Sequence, residues 1–216
     1  MDSTYNDLKQ FGRVKLNENI AKHTTFLIGG NCRYFVIIND NEKLISLLSY
    51  LTGHGLDYYI LGGGSNLLFG NDFDGVVIKI QTKGLEIKDN SVIVDAGVIL
   101  GQVVSAVSAN SLTGMEWSIG IPGTVGGAVR GNAGAFGEDI SQNVEKVEVY
   151  RDGEVMEINN QDCNYSYRES IFKNNSDVIL KVHLKLKKGE KQDITKKNVW
   201  IYDLPCWSFC SFSISR

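Results

Sequence analysis

Apolar and polar positions change their period several times along the first half of the chain. Tyr34 to Ile38 is a continuous apolar run and reads as a strand. Leu44, Leu47, Leu48 and Leu51 then recur at helical spacing, with Asn39 placed to cap that helix and Glu42 to complete a capping box. Gly53 and Gly55 end the helix, and Tyr58 to Leu61 is a second short strand. This predicts a strand–helix–strand unit that delivers the glycine run Gly62–Gly64 at its end. Only about a dozen residues separate Gly64 from the next strand, Val76 to Ile80, so no crossover helix fits there. Val92 to Val94 is another short strand, and Leu100, Val103, Val104 and Val107 form a second helical face.

From residue 118 to 137 the pattern breaks down. The segment SIGIPGTVGGAVRGNAGAFG predicts a turn, a short helix start near Val125–Val129, and more loop. From Val144 onward the chain is strand-rich. Asp152–Gly153 is a hairpin turn between Val147/Val149 and Val155/Ile158. Val178, Leu180, Val182, Leu184 and Leu186 alternate with Lys181, His183 and Lys185, a half-buried strand with His183 on its outer face. The order of elements gives an α+β fold, divided here into a small α/β part (1–80), a larger α+β part (81–197) and a tail (198–216). The tail, rich in Trp, Cys and Ser, follows neither period. It reads as a hydrophobic flap or as a truncated or frame-shifted end.

Composition narrows the function. Glycine is the outlier, 23 residues against 2 prolines, without a three-residue period. Lys and Arg total 22 against 25 Asp and Glu, so no general nucleic-acid binding is expected. No apolar run is long enough to span a membrane, and the first ten residues lack the apolar core of a secretory signal. Cys32, Cys163, Cys206 and Cys210 make neither a disulfide framework nor a zinc pattern, and His23, His54 and His183 share no ligand spacing. A cytoplasmic setting and no metal are the expectation.

Three segments carry candidate chemistry. Gly62, Gly63 and Gly64, followed by Ser65 and Asn66, can turn backbone N–H groups toward an anion, or simply make a tight turn. No Lys follows Gly64, as a P-loop requires, and Leu67 stands where a dinucleotide fingerprint has its third glycine. The second segment offers Pro122, Gly123, Thr124, Gly126, Gly127, Asn132, Ala133 and Gly134 as bare backbone and polar points against a flat ring and its side chain, or as close packing between elements. The third, Tyr165 to Phe172, holds Arg168 beside Tyr167. It can bind a carboxylate bidentately or form an Arg–Glu surface pair.

Taken together, His23–Gly30, Leu61–Leu68, Gly120–Ala128, Asn132–Gly137 and Tyr167–Phe172 occur in the order of a known family. Through them the chain resembles the UDP-N-acetylmuramate dehydrogenases, the UDP-N-acetylenolpyruvoylglucosamine reductases of peptidoglycan synthesis. The resemblance implies an FAD-binding fold of the vanillyl-alcohol-oxidase (PCMH) type with two subdomains, and non-covalent FAD. It places 62–66 at the pyrophosphate and 122–134 along the isoalloxazine and ribityl side. It implies NADPH as reductant and a UDP-sugar enolpyruvyl ether as substrate. Arg168 would be the catalytic arginine, with Tyr167 shaping its pocket. The family's substrate-binding third domain, its Ser-containing segment and its late glutamate have no counterpart after about Lys197. An FAD-binding fragment without a complete catalytic site, or another flavin oxidoreductase of this fold, are the other readings.

Overall fold

The computed structural model describes residues 3–190. After a short helix α1 (Ser3–Leu8), the chain runs through β1 (Arg13–Asn19), β2 (Asn31–Ile38), helix α2 (Asn41–Gly53), β3 (Tyr58–Leu61) and β4 (Phe73–Ile80). These strands form one sheet in the order β1-β2-β4-β3. The last of these strands in sequence sits inside the sheet: β4 is parallel to both β2 and β3, while β1 is antiparallel to β2. The connection from β3 to β4 is loop without a helix, as its length requires.

Beyond it come β5 (Leu85–Lys88), β6 (Ser91–Asp95), α3 (Leu100–Ala109), β7 (Leu112–Thr113), α4 (Val125–Arg130), β8 (Gly134–Ala135), β9 (Glu138–Asp139), β10 (Val144–Arg151), β11 (Glu154–Asn159), β12 (Val178–Lys185) and β13 (Lys187–Lys188). A five-stranded antiparallel sheet takes the order β11-β10-β12-β6-β5. One mixed sheet with a crossover helix and one antiparallel sheet make the class α+β.

The two sheets share a core. Leu44, Leu47, Leu48 and Leu51 of α2 are fully buried against Val36, Ile38, Val76 and Ile78, and the same cluster takes in Tyr150, Val178 and Leu180 of the second sheet. Each such leucine contributes roughly 2 kcal/mol of burial. The opposite face of the first sheet carries a smaller cluster, Ile20, Cys32, Phe35, Leu61 and Val77, which lies beneath the loops that build the site.

One sequence expectation needs correction, and two strands are added. Asp40, not Asn39, caps α2: its backbone is extended and its carboxylate accepts from Lys43 N at 2.9 Å. That shift makes Glu42 the second helical residue, so no capping box forms. β1 and β5 are two further, edge strands: β1 has no regular alternation, and β5 alternates Leu85 and Ile87 with Glu86 and Lys88 over only four residues. His183 lies on the outer face of β12, as the alternation predicts, and is half-buried there. Its Nε2 lies 3.2 Å from Glu148, in a cross-strand ion-pair set with Lys146, Glu157 and Lys181. Ligand atoms of Glu148, Glu157 and His183 come within 4.8 Å of one another, with both lysines balancing their charge. At the hairpin, Asp152 and Gly153 both take positive φ, 50° and 97°, the geometry that the Asp-Gly pair favours. The expected tail, 198–216, lies outside the described residues.

Candidate functional site

The glycine run is shaped by what lies under it. The chain between β1 and β2 opens with a 3₁₀ turn, Ile20–His23, capped by Asn19, whose side chain accepts from Ala21 N at 3.0 Å. The next residues form a floor: Thr25 N donates to Gly64 O at 3.0 Å, and Thr24 Oγ1 to Ile28 O at 3.1 Å. Gly64 has φ +72°, and a Cβ there would sit 2.0 Å from His23 O. Only glycine lets the loop approach the floor this closely. Among the described residues, none accepts a backbone hydrogen bond from the N–H of Gly63, Gly64, Ser65 or Asn66. That leaves a row of donors suited to an anion.

The second glycine segment lies against the first. Ser65 Oγ donates to Pro122 O at 2.9 Å. A Cβ on Gly63 would stand 2.9 Å from Gly123 Cα, and one on Gly62 would stand 2.6 Å from Thr124 Oγ1. Two stretches some sixty residues apart thus form a single backbone-lined junction. Several residues of the second stretch face inward. Thr124 caps α4 and accepts from Gly127 N at 3.4 Å. Gly126 N donates to Ala96 O, and a Cβ on Gly126 would lie 2.8 Å from Ala96 Cβ. Gly134 closes against β9, where a Cβ would lie 2.5 Å from Glu138 O. Ala133 N donates to Ala128 O at 2.8 Å. Pro122 and Gly123 thus meet the first glycine run at the junction, Gly126 packs α4 against Ala96, and Gly134 closes on β9.

The Tyr167–Arg168 pair occupies the tip of a tight turn closed by Ser166 N to Glu169 O and Glu169 N to Ser166 O, both 3.1 Å. Arg168 takes φ +58°, uncommon for a side chain of this size. The turn is tied to the residues after α4 from both sides. Ser170 Oγ donates to Arg130 O at 2.7 Å, and Asn132 Nδ2 donates to Ser166 O at 2.8 Å. Ser170 and Asn132 are 2% and 3% exposed. Asn132 therefore holds the arginine turn with its side chain. Lys173 Nζ donates to Arg168 O and pairs with Glu169 at 3.3 Å. With Glu169 so engaged, no carboxylate among the described residues pairs with the Arg168 guanidinium, which lies 5.7 Å from the Tyr167 ring centre. Tyr167 itself is 79% exposed. A cleft of about 610 Å³ opens on one side of the turn, lined by Ser166, Glu169, Ser170 and the asparagines Asn164, Asn174 and Asn175.

The 3₁₀ turn and its floor are parts of the site that no glycine pattern marks. The available signal was Asn19 as a cap ahead of His23-Thr24-Thr25.

Residues 32–159 match the family described as FAD binding domain, which sets the class of protein. The chain is 39% identical over 193 residues to the UDP-N-acetylenolpyruvoylglucosamine reductase of Halalkalibacterium halodurans, covering 87% of this chain and 64% of that protein. It is 34% identical over 212 residues to that of Bacillus velezensis, covering 92% and 70%. The crystal structure of UDP-N-acetylenolpyruvylglucosamine reductase from Thermus caldophilus superimposes with a TM-score of 0.74 at 27% identity, covering 88% of this chain and 67% of that one. The chain belongs to the UDP-N-acetylenolpyruvoylglucosamine reductase family, flavin-dependent oxidoreductases. It spans 63–64% of the length of several curated relatives. No described helix is long and apolar enough to cross a membrane.

Proposed function

We propose that this chain is the FAD-holding part of such a reductase, with the cofactor bound non-covalently at the junction of the two glycine segments. The observation that carries the reading is the cradle itself: unpartnered N–H groups at Gly63–Asn66, and Gly62–Gly64 packed where any Cβ would collide. Such a surface suits a diphosphate, which needs donors and close backbone approach. In this reading the two sheets, residues 13–80 and 85–185, are the two halves that grip the cofactor. Pro122 and Gly123 lie along it, while Thr124, Gly126, Gly127, Asn132, Ala133 and Gly134 shape that wall from behind. Bound FAD supplies hydride transfer.

The finer reading is the family reaction. A hydride and a proton add across the enolpyruvyl double bond of the UDP-sugar, with NADPH as the source of the electrons. Arg168 would bind the enolpyruvyl carboxylate bidentately and balance charge as the double bond is reduced. Its unpaired guanidinium on a buttressed turn favours that role over a surface ion pair. Tyr167 would wall the pocket. Of the two, the cofactor-holding reading is preferred, because every element of the cradle lies within residues 3–190. A flavin absorbance spectrum after FAD loading, followed by NADPH consumption with the enolpyruvyl sugar, separates them. Flavin without turnover supports the preferred reading, turnover supports the full reaction, and no flavin refutes both.

A further inference from the structure

Beneath the glycine loop lies a chain of charged and polar side chains that the proposed cofactor contacts do not use. Lys15 Nζ donates to Glu18 Oε1 at 2.6 Å, both on β1. His23 Nε2 lies 2.9 Å from the same carboxylate oxygen, and Lys79 Nζ, on β4, lies 3.5 Å from His23 Nδ1. The His23 ring stacks on Phe35 of β2 with centroids 4.2 Å apart. The backbone carbonyl of this same histidine is the atom on which Gly64 rests.

These contacts define one protonation state. A carboxylate can only accept, so Nε2 carries the proton. An ammonium can only donate, so Nδ1 is the acceptor and the imidazole is neutral. A second proton would have to go on Nδ1, facing Lys79. The remaining groups near the ring do not offer it a second counter-ion: Phe35 is apolar, Cys32 of β2 is a buried thiol, and Lys22 of the same turn is exposed.

We propose that His23 is a positioning residue of the cofactor site: its neutral ring, clamped between Glu18 and Lys79, holds the Ile20–Thr25 floor, and protonation of that ring loosens the floor under Gly64 and weakens dinucleotide binding. The proposal rests on the FAD reading of the loop. Burial, with the Lys79 charge, lowers the His23 pKa from its ordinary 6.5 against the opposing pull of Glu18. The sign follows from that direction. The clamped form is fully present above pH 6.5 and is lost as pH falls through the lowered folded value.

The test is FAD affinity, read by quenching of flavin fluorescence, from pH 8 to pH 5. In the wild-type chain the dissociation constant is flat at the alkaline end and then rises, approaching tenfold per pH unit below the imidazole pKa. His23→Gln keeps an N–H for Glu18 and an oxygen for Lys79 but cannot titrate. Measured against its own value at pH 8, its dissociation constant should stay flat into acid. Glu18→Gln removes the group that favours the protonated ring and should move the rise to lower pH. An unchanged rise in His23→Gln, or a flat wild-type profile, overturns the proposal. Absence of FAD binding by the wild type at pH 8 would instead refute the cofactor reading. Hydrogen exchange at the Thr25 amide, which donates to Gly64 O, then decides the positioning role: it should accelerate in acid relative to His23→Gln, and equal rates overturn it.

Discussion

Gly64→Ala is the substitution whose effect the structure specifies most fully. The residue sits at φ +72°, where a side chain costs about 1–2 kcal/mol. The added methyl would also lie 2.0 Å from His23 O, a backbone atom that cannot swing aside as a side-chain tip can. Relieving such an overlap by backbone movement costs about 1–3 kcal/mol more. The expected loss is therefore about 2–5 kcal/mol, shared between folding stability and the Thr25–Gly64 contact. Urea unfolding should report the stability part, and flavin titration should show affinity lowered by tenfold or more, a change of about 1.4 kcal/mol. Gly127→Ala is the matched control. Its methyl would lie 3.6 Å from Thr124 Oγ1, an ordinary contact, inside a short helix. It should be neutral or stabilising by up to about 1 kcal/mol. A Gly64→Ala chain as stable as the wild type, with unchanged flavin affinity, would refute the packing argument.

Other outcomes follow from the same contacts. Ser170→Ala leaves Arg130 O without its 2.7 Å donor and should cost about 1–3 kcal/mol; trypsin should also cut faster after Arg168 as the turn loosens. Arg151→Met leaves the Asp177 carboxylate, 1% exposed and held bidentately at 2.6 Å, with Asn175 Nδ2 as its remaining side-chain donor, and should lower stability by about 1–3 kcal/mol in thermal or urea unfolding. Burial raises the thiol pKa of Cys32 and Cys163 to about 11. Alkylation at pH 8 with peptide mapping should leave both unlabelled in the folded chain and label both in urea.

Much of the scaffold could be read from periodicity, because α2, α3 and β12 each bury a complete apolar face. Leu44, Leu47, Leu48 and Leu51 announced α2 whichever of Asn39 or Asp40 capped it; two adjacent residues of equal capping chemistry do not fix a boundary to one position. β1 escaped because Arg13–Asn19 buries no side chain completely, and its pairing comes from β2 rather than from its own pattern. The insertion of β4 between β2 and β3 is a tertiary choice that no local pattern records. At the site, both glycine segments could be located, but not their contact, since Ser65 and Pro122 lie 57 residues apart and meet only through tertiary packing. Asn132 and Gly126 illustrate the limit. Composition does not record that Asn132 braces the arginine turn or that Gly126 lets α4 close on Ala96.

The central claim is that the junction of Gly62–Asn66 with Pro122–Gly123 holds FAD without a covalent bond. The direct measurement is to load the purified chain with FAD at pH 8, remove free flavin by gel filtration, and precipitate the protein with acid. Stoichiometric flavin should travel with the native chain and pass entirely into the supernatant on precipitation, and Gly63→Val, whose side chain would start 2.9 Å from Gly123 Cα, should carry none while remaining folded. Loss of flavin from the wild type on the column, retention in the precipitate, or full loading of Gly63→Val would contradict it.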